Sequence, residues 1–157
     1  MSEPQLVATE AMTVAYARMR GPYAQIPEAL GRLYGWIVGH GLQPTGMPAT
    51  VYHTMPAEVP EADAQWEVQA PVTSEVPESA PDESGIGVKH VQPIMAVSAK
   101  HVGPYESVGP TYEAMFMWIL ANGLVLDGPP MERYYSDPSE VPPEEYVTEI
   151  VMPVRRP

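Results

Sequence analysis

Slid against itself by 82 residues, this 157-residue chain aligns with its own second half without a gap. Arg20-Gly21-Pro22-Tyr23 meets Val102-Gly103-Pro104-Tyr105, Trp36-Ile37 meets Trp118-Ile119, Gly41-Leu42 meets Gly123-Leu124, and Tyr52 meets Tyr134. Glu58-Val59-Pro60 falls on Glu140-Val141-Pro142, and Glu67, Pro71 and Val72 fall on Glu149, Pro153 and Val154. Of 64 aligned pairs, 18 are identical, and many others are apolar on both sides. A fixed period held over that span marks two copies of one supersecondary unit, each with a thin core of its own. The copies are read as 12–74 and 88–157, joined by an acidic, proline-rich bridge at 75–87, with 1–157 as a single domain.

Each copy reads as strand, helix, strand, strand. The first strand is Met12 to Met19 in one copy and Ile94 to His101 in the other. Gly-Pro-Tyr then turns the chain into a helix, Tyr23 to Gly39 and Tyr105 to Ala121. Ile26, Leu30, Leu33 and Ile37 recur at helical spacing, as do Val108, Tyr112, Met115 and Ile119. Gly41 and Gly123 suit the left-handed position that ends a helix, with Leu42 and Leu124 packing back on the last turn. Two strands follow in each copy, 50–54 with 65–72 and 132–136 with 145–153. The expected fold is α+β: duplicated βαββ units about a pseudo-twofold axis, an antiparallel sheet with two helices on one face, and a groove between them. Interfaces between repeats are common ligand sites.

The net charge of −12, from eight basic and twenty acidic residues, argues against direct binding of nucleic acid or of anionic lipid and favours cationic ligands at long range. The absence of cysteine excludes disulfides, thiolate metal sites and cysteine nucleophiles. No run approaches the roughly 18 apolar residues of a membrane span, and the polar, acidic start lacks the layout of a secretory signal, so the expected location is cytoplasmic. The four histidines show no metal-ligand spacing, the serines have no nucleophile-elbow setting, and no cofactor loop is present.

Two glutamates stand out. Glu67 and Glu149 are repeat equivalents within strands, and Glu149 sits in the apolar run Val147-Thr148-Glu149-Ile150-Val151-Met152. Alternation puts Glu149 on one face with Val147 and Val151. If that face looks toward the helices, the carboxylate is partly buried and needs hydrogen bonds, a cation or a proton. Nine tyrosines and three tryptophans accompany a single phenylalanine, a bias toward aromatics with a polar handle. Tyr16, Tyr52, Tyr112, Tyr134, Trp36, Trp66 and Trp118 are the candidate walls of a site, with Met115, Met117 and Met152 as adaptable filler. Aromatic faces around a carboxylate suit a flat lipophilic cation. Trp36 and Trp118 also fit the plainer role of packing anchors kept by both copies.

The doubled βαββ unit, the strand–Gly-Pro-Tyr–helix junctions at Arg20 to Tyr23 and His101 to Tyr105, and the closing strand Thr148 to Val154 resemble the GyrI-like domains, also known as AraC-type effector-binding domains. The resemblance covers nearly the whole chain. It implies a module that binds drug-like, often cationic, aromatic compounds between its halves, with the last-strand glutamate, here Glu149, facing the ligand. Tyr134 and Trp118 fall in segments whose aromatics would stack on it. Eleven residues precede the first strand, so the expectation is a stand-alone form without its own DNA-binding domain. The resemblance leaves two further readings. One is an interaction protein whose partner is gyrase or a separate regulator. The other is a detoxifying hydrolase that opens the cyclopropane ring of DNA-alkylating natural products, with Glu149 or Glu67 as the base.

Overall fold

The computed structural model describes residues 2–55 and 58–157. Its strands are Gln5–Ala8 (β1), Met12–Arg20 (β2), Ala49–Tyr52 (β3), Gln65–Val72 (β4), Ile86–Val91 (β5), Met95–Val102 (β6), Val125–Leu126 (β7), Met131–Tyr134 (β8) and Val147–Arg155 (β9). Its helices are Ile26–Gly39 (α1) and Gly109–Ala121 (α2). The architecture is the expected α+β, mostly antiparallel, with nine strands and two α-helices among the described residues. The chain forms two compact units. The first is contiguous, Glu10–Gln92, and the second joins Pro93–Pro157 to the segment that ends at Thr9.

In the first unit the strand order is β3-β4-β2-β5, every ladder antiparallel. Residues directly across an antiparallel ladder point to the same side. Ala15 faces Ala70, Ala17 faces Val68 and Met19 faces Trp66, and this small, regular surface receives Ala29, Leu33 and Ile37 of α1. In the second unit the order is β1-β6-β9-β8, with β7 also paired to β9. There Val97, Ala99, Ile150, Met152 and Val154 receive Met115 and Ile119 of α2. Within each unit, therefore, one side of the strands is covered by its helix, and among the described residues no helix of that unit packs on the other side.

Both helices begin three or four residues later than periodicity suggests. Tyr23–Gln25 and Tyr105–Ser107 form 3-10 turns first, and prolines then occupy the first helical turn, where no intrahelical N–H is needed. The helix ends are as expected. Gly41 and Gly123 have φ of 71° and 67°, and the Leu42 and Leu124 amides donate back to the carbonyls of Ile37 and Ile119.

β1 and β5 lie outside the βαββ pattern. They are 82 residues apart, so each is the leading strand of one copy. β5 pairs with β2 of the preceding copy, and β1 pairs with β6 of the following one. Each copy thus lends its leading strand to the other unit. The bridge between the copies is largely exposed yet tied down. Asp82 accepts the Trp36 indole N–H at 2.8 Å, Arg32 donates to the Ser84 carbonyl at 2.9 Å, and Ser79 bridges to Val88. Among the described residues no helix is long and apolar enough to cross a membrane.

Candidate functional site

The two repeat-equivalent glutamates occupy the sides without helices. Val68 and Ile150, next to them in β4 and β9, belong to the helix-covered cores, so alternation turns Glu67 and Glu149 the other way. A face looking toward the helices is therefore not what these strands give their glutamates. Glu67 is nevertheless 1 % exposed. Its Oε2 accepts from Lys89 Nζ at 2.5 Å and from Gln69 Nε2 at 2.6 Å, and its Oε1 lies 3.3 Å from His53 Nε2. Burial pushes its pKa up, but the bonds from Lys89, Gln69 and His53 outweigh that and hold it below the ordinary carboxylate range. Burial likewise lowers the pKa of His53, and the Arg18 charge adds to this.

Glu149 is more open, its side chain 16 % exposed. Ser98 Oγ donates to its Oε2 at 2.6 Å, and Tyr135 Oη and Arg133 Nη1 reach its Oε1 at 2.8 and 3.2 Å. Burial and the bond to Glu149 push the Tyr135 phenol up. The two copies kept the acid and changed its company. Tyr135 stands where the first copy has His53, Ser98 where it has Tyr16, and Arg133 where it has Val51.

A third carboxylate lies on the helix-covered side of the second unit. Glu132 stands across from Ile150 and Tyr134 across from Thr148, so both point toward α2. Glu132 is buried, 8 % exposed, and Tyr112 of α2 donates its phenol O–H to Glu132 Oε2 at 2.6 Å. Tyr105 meets Tyr134 edge to face at 5.7 Å and stacks on Tyr146 at 5.0 Å. Burial, Tyr146 and the Glu132 charge all raise the Tyr105 pKa. Tyr112 thus holds one buried acid whose charge reaches Tyr105, and Tyr105 in turn meets Tyr134 and Tyr146. The first copy keeps the edge-to-face pair, Tyr23 with Tyr52 at 5.6 Å, but has Thr50 where the second has Glu132.

Of the residues singled out from sequence, the second unit brings Tyr112 and Tyr134 together beside Glu132, which the sequence reading passed over. Its signal was an acid at i−2 from a strand tyrosine, on the face that meets the helix. Met115 is fully buried under α2 and Trp118 packs against the same core. Met152 is also core, whereas Met117 is 72 % exposed. In the first unit Trp66 is fully buried and donates its indole N–H to the Gly21 carbonyl at 3.0 Å, on the side opposite Glu67. Trp36 stacks on His40 at 4.0 Å. Tyr52 packs on the helix side, and Tyr16 lies on the same side as Glu67, beneath Lys89. Among the described residues no group of three or more His, Asp or Glu could hold a metal ion.

A family model described as the GyrI-like small molecule binding domain matches residues 2–155. No curated protein matches the chain. Among solved structures, the EcmrR C-terminal domain is similar with a TM-score of 0.83 at 25% identity, over 100% of this chain and 99% of that one. EcmrR in its DNA complex gives 0.84 at 23% identity, over 99% of this chain and 58% of that one. The chain therefore spans little more than half the length of that protein. A hydrolase from Listeria innocua gives 0.76 at 17% identity, over 98% and 92%. SAV2435 bound to tetraphenylphosphonium gives 0.58 at 20% identity, over 98% and 94%. Below 25% identity these likenesses speak to the fold.

Proposed function

Because the chain belongs to the GyrI-like small molecule binding domain family, we propose that it binds lipophilic aromatic cations, with Glu132 as the counter-charge and Tyr105, Tyr112 and Tyr134 as aromatic walls. The observation that carries this reading is the buried Glu132 carboxylate, held at 2.6 Å by Tyr112, with its charge reaching Tyr105 of the Tyr105–Tyr134 ring pair. A carboxylate kept from water interacts strongly with a cation, and aromatic faces add attraction without needing a fixed ligand shape. The overall charge of −12 draws such ligands in. SAV2435, which shares the fold, holds tetraphenylphosphonium, a cation of this class. Calorimetric titration with tetraphenylphosphonium and with neutral triphenylphosphine oxide tests the reading. Glu132→Gln should weaken the cation by about tenfold or more, the factor that 1.4 kcal/mol represents, and leave the neutral compound nearly unchanged. Equal losses for both compounds, or no loss for either, would overturn it.

Glu149 supports a second reading, as a hydrolase. Its carboxylate is partly exposed and already holds a phenol O–H and a serine O–H. Such a group can take a proton from water as the water oxygen bonds to a cyclopropane carbon, while the ring bond breaks and its electrons pass to a conjugated carbonyl that becomes a phenolate. Incubation with a cyclopropane-bearing alkylator, followed by mass spectrometry, decides it. Turnover adds one water to the compound and is lost in Glu149→Gln. A compound recovered unchanged counts against it.

A further inference from the structure

Twenty acidic residues outnumber eight basic ones in this chain, but the helix-free face of the first unit reverses that balance. Among its described strand residues Glu67 is the one carboxylate. Arg18 stands directly across from it in the β2–β4 ladder, and Lys89 reaches it from β5. Arg20, farther along β2, is engaged by Asp63 at 2.9 Å. Glu67 is too deep to be touched by a solute, whereas the Lys89 side chain is 32 % exposed and Arg18 is exposed. Lys89 is also fixed in place, because its Nζ lies 4.3 Å over the Tyr16 ring as well as on Glu67. The buried acid thus orders one cation beside another and leaves the surface with a positive excess.

His53 stands at the edge of this arrangement, its side chain 25 % exposed. The ionised Glu67 can only accept, so the His53 proton sits on Nε2 and Nδ1 is left as an acceptor. The charged groups acting on the ring are Arg18, Lys89 and Glu67, from β2, β5 and β4. The second unit has Val7 where the first unit has Lys89, and Tyr135 where it has His53, so the combination belongs to the first unit alone.

We infer that this face is a binding site for an oxyanion, the carboxylate or sulfate group of a small molecule, held between Arg18 and Lys89 with His53 beside them. The site is independent of Glu132, which belongs to the other unit and calls for the opposite charge. An anion here offsets the field of Arg18 and Lys89 at His53. The ring then takes up a proton at Nδ1 and becomes a donor on both sides. By linkage, the anion binds more tightly as pH falls toward the depressed pKa of His53 in the free protein.

The test follows the histidine ring signals of the intact chain by NMR while benzoate or sulfate is added at constant ionic strength. The His53 signal should move saturably and its pKa should rise, while His40, His90 and His101 stay put. Arg18→Gln leaves the Lys89 and His53 bonds to Glu67 in place and should weaken binding about tenfold. Arg156→Gln, an equal loss of charge at an exposed terminal position, should leave binding unchanged. Saturation by benzoate alone points to an aromatic acid, and saturation by sulfate alone to a tetrahedral anion; both support the site. Three results would overturn it: no saturable shift with either anion, equal shifts at all four histidines, or Arg18→Gln binding like the parent.

Discussion

Glu132 and Glu149 are carried by neighbouring strands of one ladder but point to opposite sides of it. Glu132 stands across from Ile150 on the side covered by α2, and Glu149 stands across from Arg133 on the side without a helix. A small ligand held on one side of a sheet cannot touch both acids. The two single losses in tetraphenylphosphonium affinity should therefore be independent, adding within about 0.5 kcal/mol in the Glu132→Gln/Glu149→Gln double variant. Most of the total should come from Glu132→Gln. Calorimetry of the four proteins gives the coupling directly, and dominance of Glu149→Gln would move the cation site to the open face.

Lys89→Met tests what holds Glu67 below the surface. Removing Lys89 leaves the buried Glu67 carboxylate to Gln69 and His53, at a cost of about 1–3 kcal/mol. Urea unfolding at neutral pH should show that loss. Replacing the partner as well, in Lys89→Met/Glu67→Leu, should recover most of it, because two apolar side chains leave no charge to solvate. A double variant as weak as the single one would mean that the loss comes from packing around Tyr16.

Acid should destabilise the protein in two stages. His53 has a folded pKa below its ordinary value of 6.5, so on acidification the unfolded chain takes up that proton first, and stability falls as pH drops below that value. Glu67 has a folded pKa below its ordinary 4.5, so its contribution is complete above that value and disappears as pH falls through the folded one. Thermal unfolding followed from pH 8 to pH 3 should show both limbs, and His53→Asn should remove the upper one while keeping the lower.

Two glycines should respond in opposite directions. A Cβ on Gly87 would lie 2.6 Å from the Ser79 carbonyl oxygen and 2.9 Å from the Pro81 nitrogen, both backbone atoms. Gly87→Ala must displace the bridge and should cost about 1–3 kcal/mol. Gly35, exposed in α1, has nothing within 4 Å of the added atom, and Gly35→Ala should stabilise by about 0.5–1 kcal/mol. Differential scanning calorimetry of both variants reads the two signs.

The period of 82 was enough to read the α+β architecture, both helices and their glycine ends, because those features depend on local chemistry that both copies repeat. Glu149 shows the limit. Alternation tells which residues share a face with it, but not which face the helix will cover; that depends on how Ile150, Met152 and Val154 meet Met115 and Ile119. Once that side is fixed, Glu132 moves inward and Glu149 outward. Trp66 was legible as a repeat-unit strand residue but not as core, since its neighbour Glu67 carried the more conspicuous signal. β1 and β5 escaped notice for a different reason. Gln5-Leu6-Val7-Ala8 is four residues long and pairs with β6, some 90 residues onward, and no local pattern announces so distant a partner.

That distant pairing imposes an order on synthesis. Everything the first unit needs, from β2 to β5, leaves the ribosome as one continuous stretch, Glu10–Gln92. β1 emerges before any of it and must wait for Met95–Val102. At about 5–20 residues per second, the wait is on the order of several seconds. Throughout that interval Leu6 and Val7 travel as an unpaired strand beside a unit that can already fold.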